Sequence, residues 1–435
     1  VSGPEQKQSS LRYVFGASFA IQCIGIGLAA IAQLVIARAL GVAGYGVFGY
    51  ATACATAMIT LAKYGTDTLV YRQGGQYSHA GDWPSFRGLL RRAGILVSRA
   101  SFAGFLMLVI YASLLFMQRG DATLSLAIVL AAVAVPLVAL SSLRQATLIS
   151  MGRMVYGLAP EHLVRTIALI LVALSLWYAG RASPTAMIAA NVLSYAAAFV
   201  FGQVCLQRTP VARAALASNP DALLRWDVTA RDLFLFNCAY QIVSLFDMLL
   251  VGYLLDTTQT GLYAAAKQVA SLGMLALFAF QLVASPRIAS AHARGDRAGL
   301  SRIVDAVTIG GATFTLVYGA VLFVFGRDLL ALLGEDFQSA YSCLIWLIVA
   351  QVLNTLAGPA GTVSSMVGLQ RQATGIFIGA VMVGAIVLLV CAPRYGIPGA
   401  AFSVVVATLF WSVGLNVLLY RATGAAVWLF RKRDR

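Results

Sequence analysis

Charge is scarce in this chain. Only 11% of its 435 residues are Asp, Glu, Lys or Arg, against 60% hydrophobic. A water-soluble chain of this length needs far more charge to cover its surface, so a soluble enzyme or binding domain is excluded. The six cysteines (Cys23, Cys54, Cys205, Cys238, Cys343, Cys391) stand singly in apolar surroundings, and the three histidines (His79, His162, His292) lie far apart. No CxxC pair and no Cys/His cluster exists, which argues against zinc sites, metal centres and thiol chemistry and leaves the cysteines as small apolar side chains. Period-two alternation is also missing, so an outer-membrane barrel is not expected. A cleavable signal is not evident: Val1–Arg12 is polar, and the apolar run after it is too long for a signal core.

What the sequence has is one apolar run after another. Each is near the ~20 residues that a helix needs to cross a bilayer, and about twelve can be marked. The expected class is an all-α polytopic membrane protein of about 12 transmembrane helices. The expected divisions are a tail over 1–13, six spans over 14–206, a polar linker over 207–232, six spans over 233–420, and a basic tail over 421–435. The basic residues fall on alternate connections, 21 on one side and 5 on the other. By the positive-inside rule this predicts that both termini are cytoplasmic. The net charge of +15 is then a topology signal and an attraction to anionic lipid in the bilayer. A nucleic-acid partner is not expected, because no soluble basic domain is present.

The two halves echo one another. Ile36–Gly46 (IARALGVAGYG) and Val251–Gly261 (VGYLLDTTQTG) each end an apolar run and start another at a glycine. An arginine follows each glycine by 26 positions, Arg72 after Gly46 and Arg287 after Gly261. Gly81-Asp82 matches Gly295-Asp296 at an offset of 214, and Gly152 matches Gly368 at 216, against 215 for the glycine pair. Both stretches are read as short turns between spans. An even number of spans per unit predicts halves inserted with the same orientation, related by a two-fold axis along the membrane normal.

Four segments then carry a resemblance: IARALGVAGYGVFGYA (36–51), GTDTLVYRQGG (65–75), GRMVYGLAPEHLVR (152–165) and DMLLVGYLLDTTQTGLYAAAKQVA (247–270). Together they resemble bacterial polysaccharide flippases of the Wzx type, in the multidrug/oligosaccharidyl-lipid/polysaccharide exporter superfamily. The resemblance implies two six-helix lobes in a V around a central cavity, working by alternating access in the bacterial inner membrane. It implies an undecaprenyl-pyrophosphate-linked glycan as substrate, for O-antigen or exopolysaccharide synthesis, with polysaccharide polymerase machinery as a partner. It implies no cofactor beyond a coupling ion, H+ or Na+. Lipid II flippases are relatives but usually carry two extra helices. The drug exporters of the superfamily share the architecture, so export of multidrug cations is the alternative. A membrane glycosyltransferase or polymerase is argued against by the short outer connections.

Charges inside spans are costly and mark function by default. Moving a pyrophosphate through the bilayer needs cations that offset its desolvation. Lys267, two turns into the eighth span, is the first candidate, and lipid II flippases resemble it in carrying a cavity arginine there. It lies ~10 Å from the outer end of its helix, so snorkelling to the interface competes with a cavity role. Arg144 on the fourth span and Arg165 on the fifth come next. Glu161 and Arg165 have the i,i+4 spacing of an ion pair, which would neutralise the arginine. The seventh span holds a polar stripe, Asn237, Tyr240, Gln241, Ser244 and Asp247, within an arc of roughly 120° at 100° per residue. Asn237 and Gln241 are assigned to the substrate. Asp247 has no cation within two turns on its own span and is the ion-coupling candidate, or else an aspartate bonded to another helix. Gly358 and Pro359 in the tenth span (340–367) are the expected hinge.

Overall fold

The structure, a computed structural model, describes residues 4–214, 220–274 and 297–423. Among these, every regular element is helical. Ten helices are long and apolar enough to cross a membrane. The first runs over Gly16–Lys63, 48 residues. At 1.5 Å per residue that is ~70 Å, about twice the hydrocarbon thickness, and Gly41 (φ 64°, ψ −177°) divides it into two bilayer-length pieces. The expected turn over residues 38–46 is therefore a single-residue break in an otherwise helical run. The expected eighth span is described only as far as Met274. Its remainder, Arg287, Gly295-Asp296, the middle of the linker and most of the basic tail lie outside the described residues.

The chain forms two compact units. One comprises Val1–Leu40 with Ala51–Cys238, and the other Gly41–Tyr50 with Ala239–Arg435. We label the main helices α1 (Pro4–Lys63), α2 (Trp83–Arg119), α3 (Ala122–Ala132), α4 (Ala134–Ser150), α5 (Arg165–Tyr178), α6 (Pro184–Gln207), α7 (Pro220–Leu254), α8 (Thr257–Ser271), α9 (Arg297–Ala331), α10 (Tyr341–Leu356), α11 (Gln370–Tyr395) and α12 (Ile397–Thr423). Many starts are fixed by side-chain caps. Asp82 accepts from the Ser85 amide, Asp121 from Leu124, Ser183 from Ala186 and Asp256 from Gln259. Each cap satisfies an amide that the helix leaves open and contributes about 1 kcal/mol.

In the first unit, α2 packs on α3 and α4, and α6 packs on α3, α4 and α5. Large apolar side chains such as Phe102, Ile110 and Met117 stay exposed along α2, as a lipid-facing helix requires. In the second unit, α10 packs on α8, α9 and α12, and α11 on α12.

Two features of the second unit position its site. First, the strap Gly41–Tyr50 packs against the turn from α7 to α8 through glycines. A β-carbon on Gly46 would lie 1.9 Å from the Thr257 carbonyl oxygen, one on Gly261 would lie 2.0 Å from that of Val42, and one on Gly252 would enter the Tyr50 ring. Backbones approach this closely only where side chains are absent. Second, the expected tenth span is broken. Helix α10 ends at Leu356, Gly358 sits at φ 71°, and a new helix starts at Ala360. The freed carbonyl of Ala357 is capped by the buried Asn416 amide of α12 at 3.1 Å.

Candidate functional site

Among the described residues, an ionic cluster stands out inside the helices of each unit. In the second, Ser244 and Asp247 on α7 face Tyr263 and Lys267 on α8. Both pairs have helical same-face spacing, i,i+3 and i,i+4. The Lys267 ammonium donates to Asp247 Oδ1 at 2.6 Å, to Oδ2 at 2.8 Å and to the Ser244 carbonyl at 2.8 Å. The Tyr263 hydroxyl donates to Asp247 Oδ2 at 2.6 Å. The YAAAK sequence allows this: Ala265 and Ala266 are fully buried and let α8 pack closely on its neighbours. The Asp247 side chain is 3% exposed, whereas that of Lys267 is 31% exposed. The pair is thus a buried carboxylate closed on one side by an ammonium that is partly open.

Sequence reading gave Lys267 and Asp247 separate tasks. The structure brings them together, 20 positions apart and on different helices. Tyr263 was missed, although its place one turn before Lys267 puts it on the same helix face. The rest of the polar stripe is less enclosed. Tyr240 meets the Phe377 ring edge-on at 5.5 Å between centroids, Gln241 is half-buried and Ser244 is exposed. Asn237 donates to the Thr68 hydroxyl within the first unit at 3.3 Å.

The first unit's cluster centres on Arg144 of α4. Its guanidinium donates to the Phe199 carbonyl at 2.6 Å and to Glu161 at 3.3 Å, and lies 5.5 Å from the Phe199 ring centroid. The side chain is 4% exposed, and its pose uses the space that glycine leaves at residue 202. A β-carbon there would be 2.3 Å from the guanidinium. No sequence signal pointed to Gly202. Arg165 donates from Nε to the Glu161 carbonyl and from Nη1 to the Tyr195 hydroxyl, both at 3.2 Å, with its guanidinium 4.9 Å from the Tyr195 ring centroid.

The expected Glu161–Arg165 ion pair is therefore replaced. Glu161 gives its carboxylate to Arg144, and Arg165 has no carboxylate partner among the described residues. The cause is local. Pro160 has no amide to donate, and Pro160–Val164 form a π-helical turn, whose wider winding shifts side chains out of the i,i+4 phase.

The two clusters are not copies of each other. At an offset of 215, Asp247 and Lys267 correspond to Ala32 and Thr52, and Arg144, Glu161 and Arg165 to Pro359, Ile376 and Ala380. Among the described residues, no group of three or more His, Cys, Asp or Glu side chains is arranged to hold a metal ion. Gly358 and Pro359 form the break after α10 described above, and no charged side chain belongs to it.

Comparison with known proteins places this geometry in context. A family model described as "Polysaccharide biosynthesis protein" matches residues 15–292. No curated protein matches the chain. Among solved structures, a MOP superfamily transporter from Pyrococcus furiosus, reported for the reverse polarity of its binding pocket, superposes with a TM-score of 0.70 at 12% identity, over 94% of this chain and 95% of that one. An inward-facing multidrug resistance MATE family transporter gives 0.68 at 14%, over 94% of each chain. The lipid II flippase MurJ in its inward closed conformation gives 0.65 at 12%, over 94% of this chain and 87% of that one. At these identities the likeness concerns the fold.

Proposed function

Because the chain belongs to the family of polysaccharide biosynthesis proteins, we propose that it is a flippase for a lipid-linked oligosaccharide. It carries an undecaprenyl-pyrophosphate-linked glycan across the bacterial cytoplasmic membrane by alternating access, with both termini in the cytoplasm. Surface polysaccharide of the O-antigen or exopolysaccharide type is then built from its cargo by polymerase machinery. It is a transporter and not an enzyme. That a lipid II flippase shares its fold supports a lipid-linked glycan as substrate.

The observation that carries this reading is Lys267, an ammonium within the helical bundle whose outer side is still open. A pyrophosphate crossing hydrocarbon needs such cations on its route. Arg165 is the second, since no carboxylate among the described residues pairs with it. Asn237 and Gln241 offer amides to sugar hydroxyls. Arg144 is enclosed and tied to Phe199 and Glu161, so it serves transport by holding α4, α6 and the turn before α5 together. Asp247 answers to the coupling ion, and the break at Gly358 and Pro359 is the hinge. A multidrug cation exporter would need an open carboxylate. Here the buried Asp247 is already closed by Lys267, which favours the anionic substrate.

The test is complementation of a flippase deletion, scored by surface polysaccharide. Alanine at Lys267, Arg165 or Asp247 should each abolish or strongly reduce the signal. Full activity in all three would sink the site assignment. Export of cationic dyes without any restored glycan would move the function to the exporter class.

A further inference from the structure

We infer that Lys267 is an exchangeable counter-ion: it leaves Asp247 to pair with a phosphate, and Asp247 takes up a proton when it does. The inference rests on the proposed phosphate-bearing substrate and gives that site its coupling rule.

Three observations carry it. The ammonium makes three contacts, two with Asp247 and one with Ser244, so a phosphate that takes those N–H donors must displace Asp247. Asp247 is buried, its side chain only 3% exposed, and Lys267 is the cation paired with it. A bare carboxylate in that place costs several kcal/mol, and protonation removes the charge. Lastly, Tyr263 is fully buried and bonded to Asp247 Oδ2, so the carboxyl group keeps a hydrogen-bond partner whether or not it is ionised.

Among the described residues, few titratable groups face Asp247. Tyr263 and Lys267 come from α8, and the buried Cys343 thiol of α10 is close enough to feel its charge. The strap and α11 meet its chain neighbours with glycine, Gly49 at Met248 and Gly384 at Phe246. Phenol and thiol are largely neutral near pH 7, which leaves Asp247 as the group that can take the proton.

The balance is simple. The ion pair, one phosphate anion and one proton from water become a carboxylic acid at Asp247 and an ammonium–phosphate pair at Lys267. Only an O–H bond forms. When the phosphate departs, Lys267 returns and the proton goes back to water. Phosphate and proton therefore bind together, and each raises the affinity for the other.

The test uses the full chain in detergent with inorganic pyrophosphate as probe. Calorimetry in two buffers of different ionisation enthalpy, over pH 6 to 8, reads both affinity and protons taken up. Asp247→Asn provides the correction for the probe's own titration. The unsubstituted protein should take up about one proton more than Asp247→Asn, and its affinity should fall by up to about tenfold per pH unit relative to that variant. Asp247→Asn should bind more tightly, since its lysine has no carboxylate to leave. Lys267→Met should lose at least about tenfold in affinity, one charge-assisted contact being worth that much. The doubly neutral Asp247→Asn/Lys267→Met, which leaves no lone buried charge, should behave as Lys267→Met does and so guards against a folding artefact. Equal proton uptake in the unsubstituted protein and Asp247→Asn overturns the exchange and leaves the flippase reading standing. Undiminished binding by the double variant also overturns it. Absence of pyrophosphate binding in every form overturns it too, and restored surface polysaccharide then decides whether the flippase reading survives.

Discussion

Gly46 and Gly261 meet backbone to backbone, each occupying the space that a side chain on the other's helix would need. The contact is reciprocal. Gly46 lies over Thr257, and Gly261 lies over Val42, which stands 215 positions before Thr257 just as Gly46 stands 215 before Gly261. The two marks that reveal the repeat in the sequence are thus in contact in the fold. Alanine at either glycine forces backbone apart and should destabilise by about 1–3 kcal/mol. A lowered melting temperature in detergent for Gly46→Ala and Gly261→Ala is the expected reading. Unchanged melting for both would show that the helices separate freely.

Breaking the Asp247–Lys267 pair from one side leaves a charge without its partner. Lys267→Met should cost about 3 kcal/mol, the lower end for a buried pair because the lysine is partly open. The doubly neutral variant should recover most of that loss. A double-mutant cycle on thermal melts measures the coupling, and strictly additive effects would contradict the contact.

Arg144 and Arg165 should separate by assay. Arg144→Gln removes a buried guanidinium held by Phe199 and Glu161, so its melting temperature should drop and surface polysaccharide should fall with protein level. Arg165→Gln should keep its melting temperature within a few degrees yet lose transport. Identical behaviour in both assays would remove the distinction between a structural clasp and a substrate contact.

Asn416 carries a prediction of its own. Replacing it by Leu leaves the Ala357 carbonyl unpaired in a buried place, at about 1–3 kcal/mol. Hydrogen exchange at the amides following Gly358 should accelerate. Exchange rates equal to those of the unsubstituted chain would show that the break does not depend on this cap.

The helices were legible because hydropathy and length suffice to mark a bilayer span. The charged candidates were legible for the same reason, as charge stands out in an apolar run. Their pairing was not. Lys267 meets Asp247 across two helices, and nothing along one helix reports on the next. The Glu161 assignment failed for a local reason, since i,i+4 arithmetic presumes an α-helix and Pro160 opens a π turn there. The helical run through residues 38–46 was hidden by its glycines, which read as turn residues, although Gly41 makes only a single-residue break and Gly46 is close-packing surface. Tyr263 was within reach of the sequence, one turn from Lys267, whereas Gly202 was not, because a glycine announces nothing about what lies above it.

The guanidinium of Arg144 fills the space above Gly202. A relative with a larger residue at 202 cannot keep arginine at 144 in this pose, because the guanidinium would have to swing away from Phe199 and Glu161. Two positions far apart in the chain are therefore coupled through one side chain. In an alignment they should covary, and a library that randomises both should recover combinations that single changes miss.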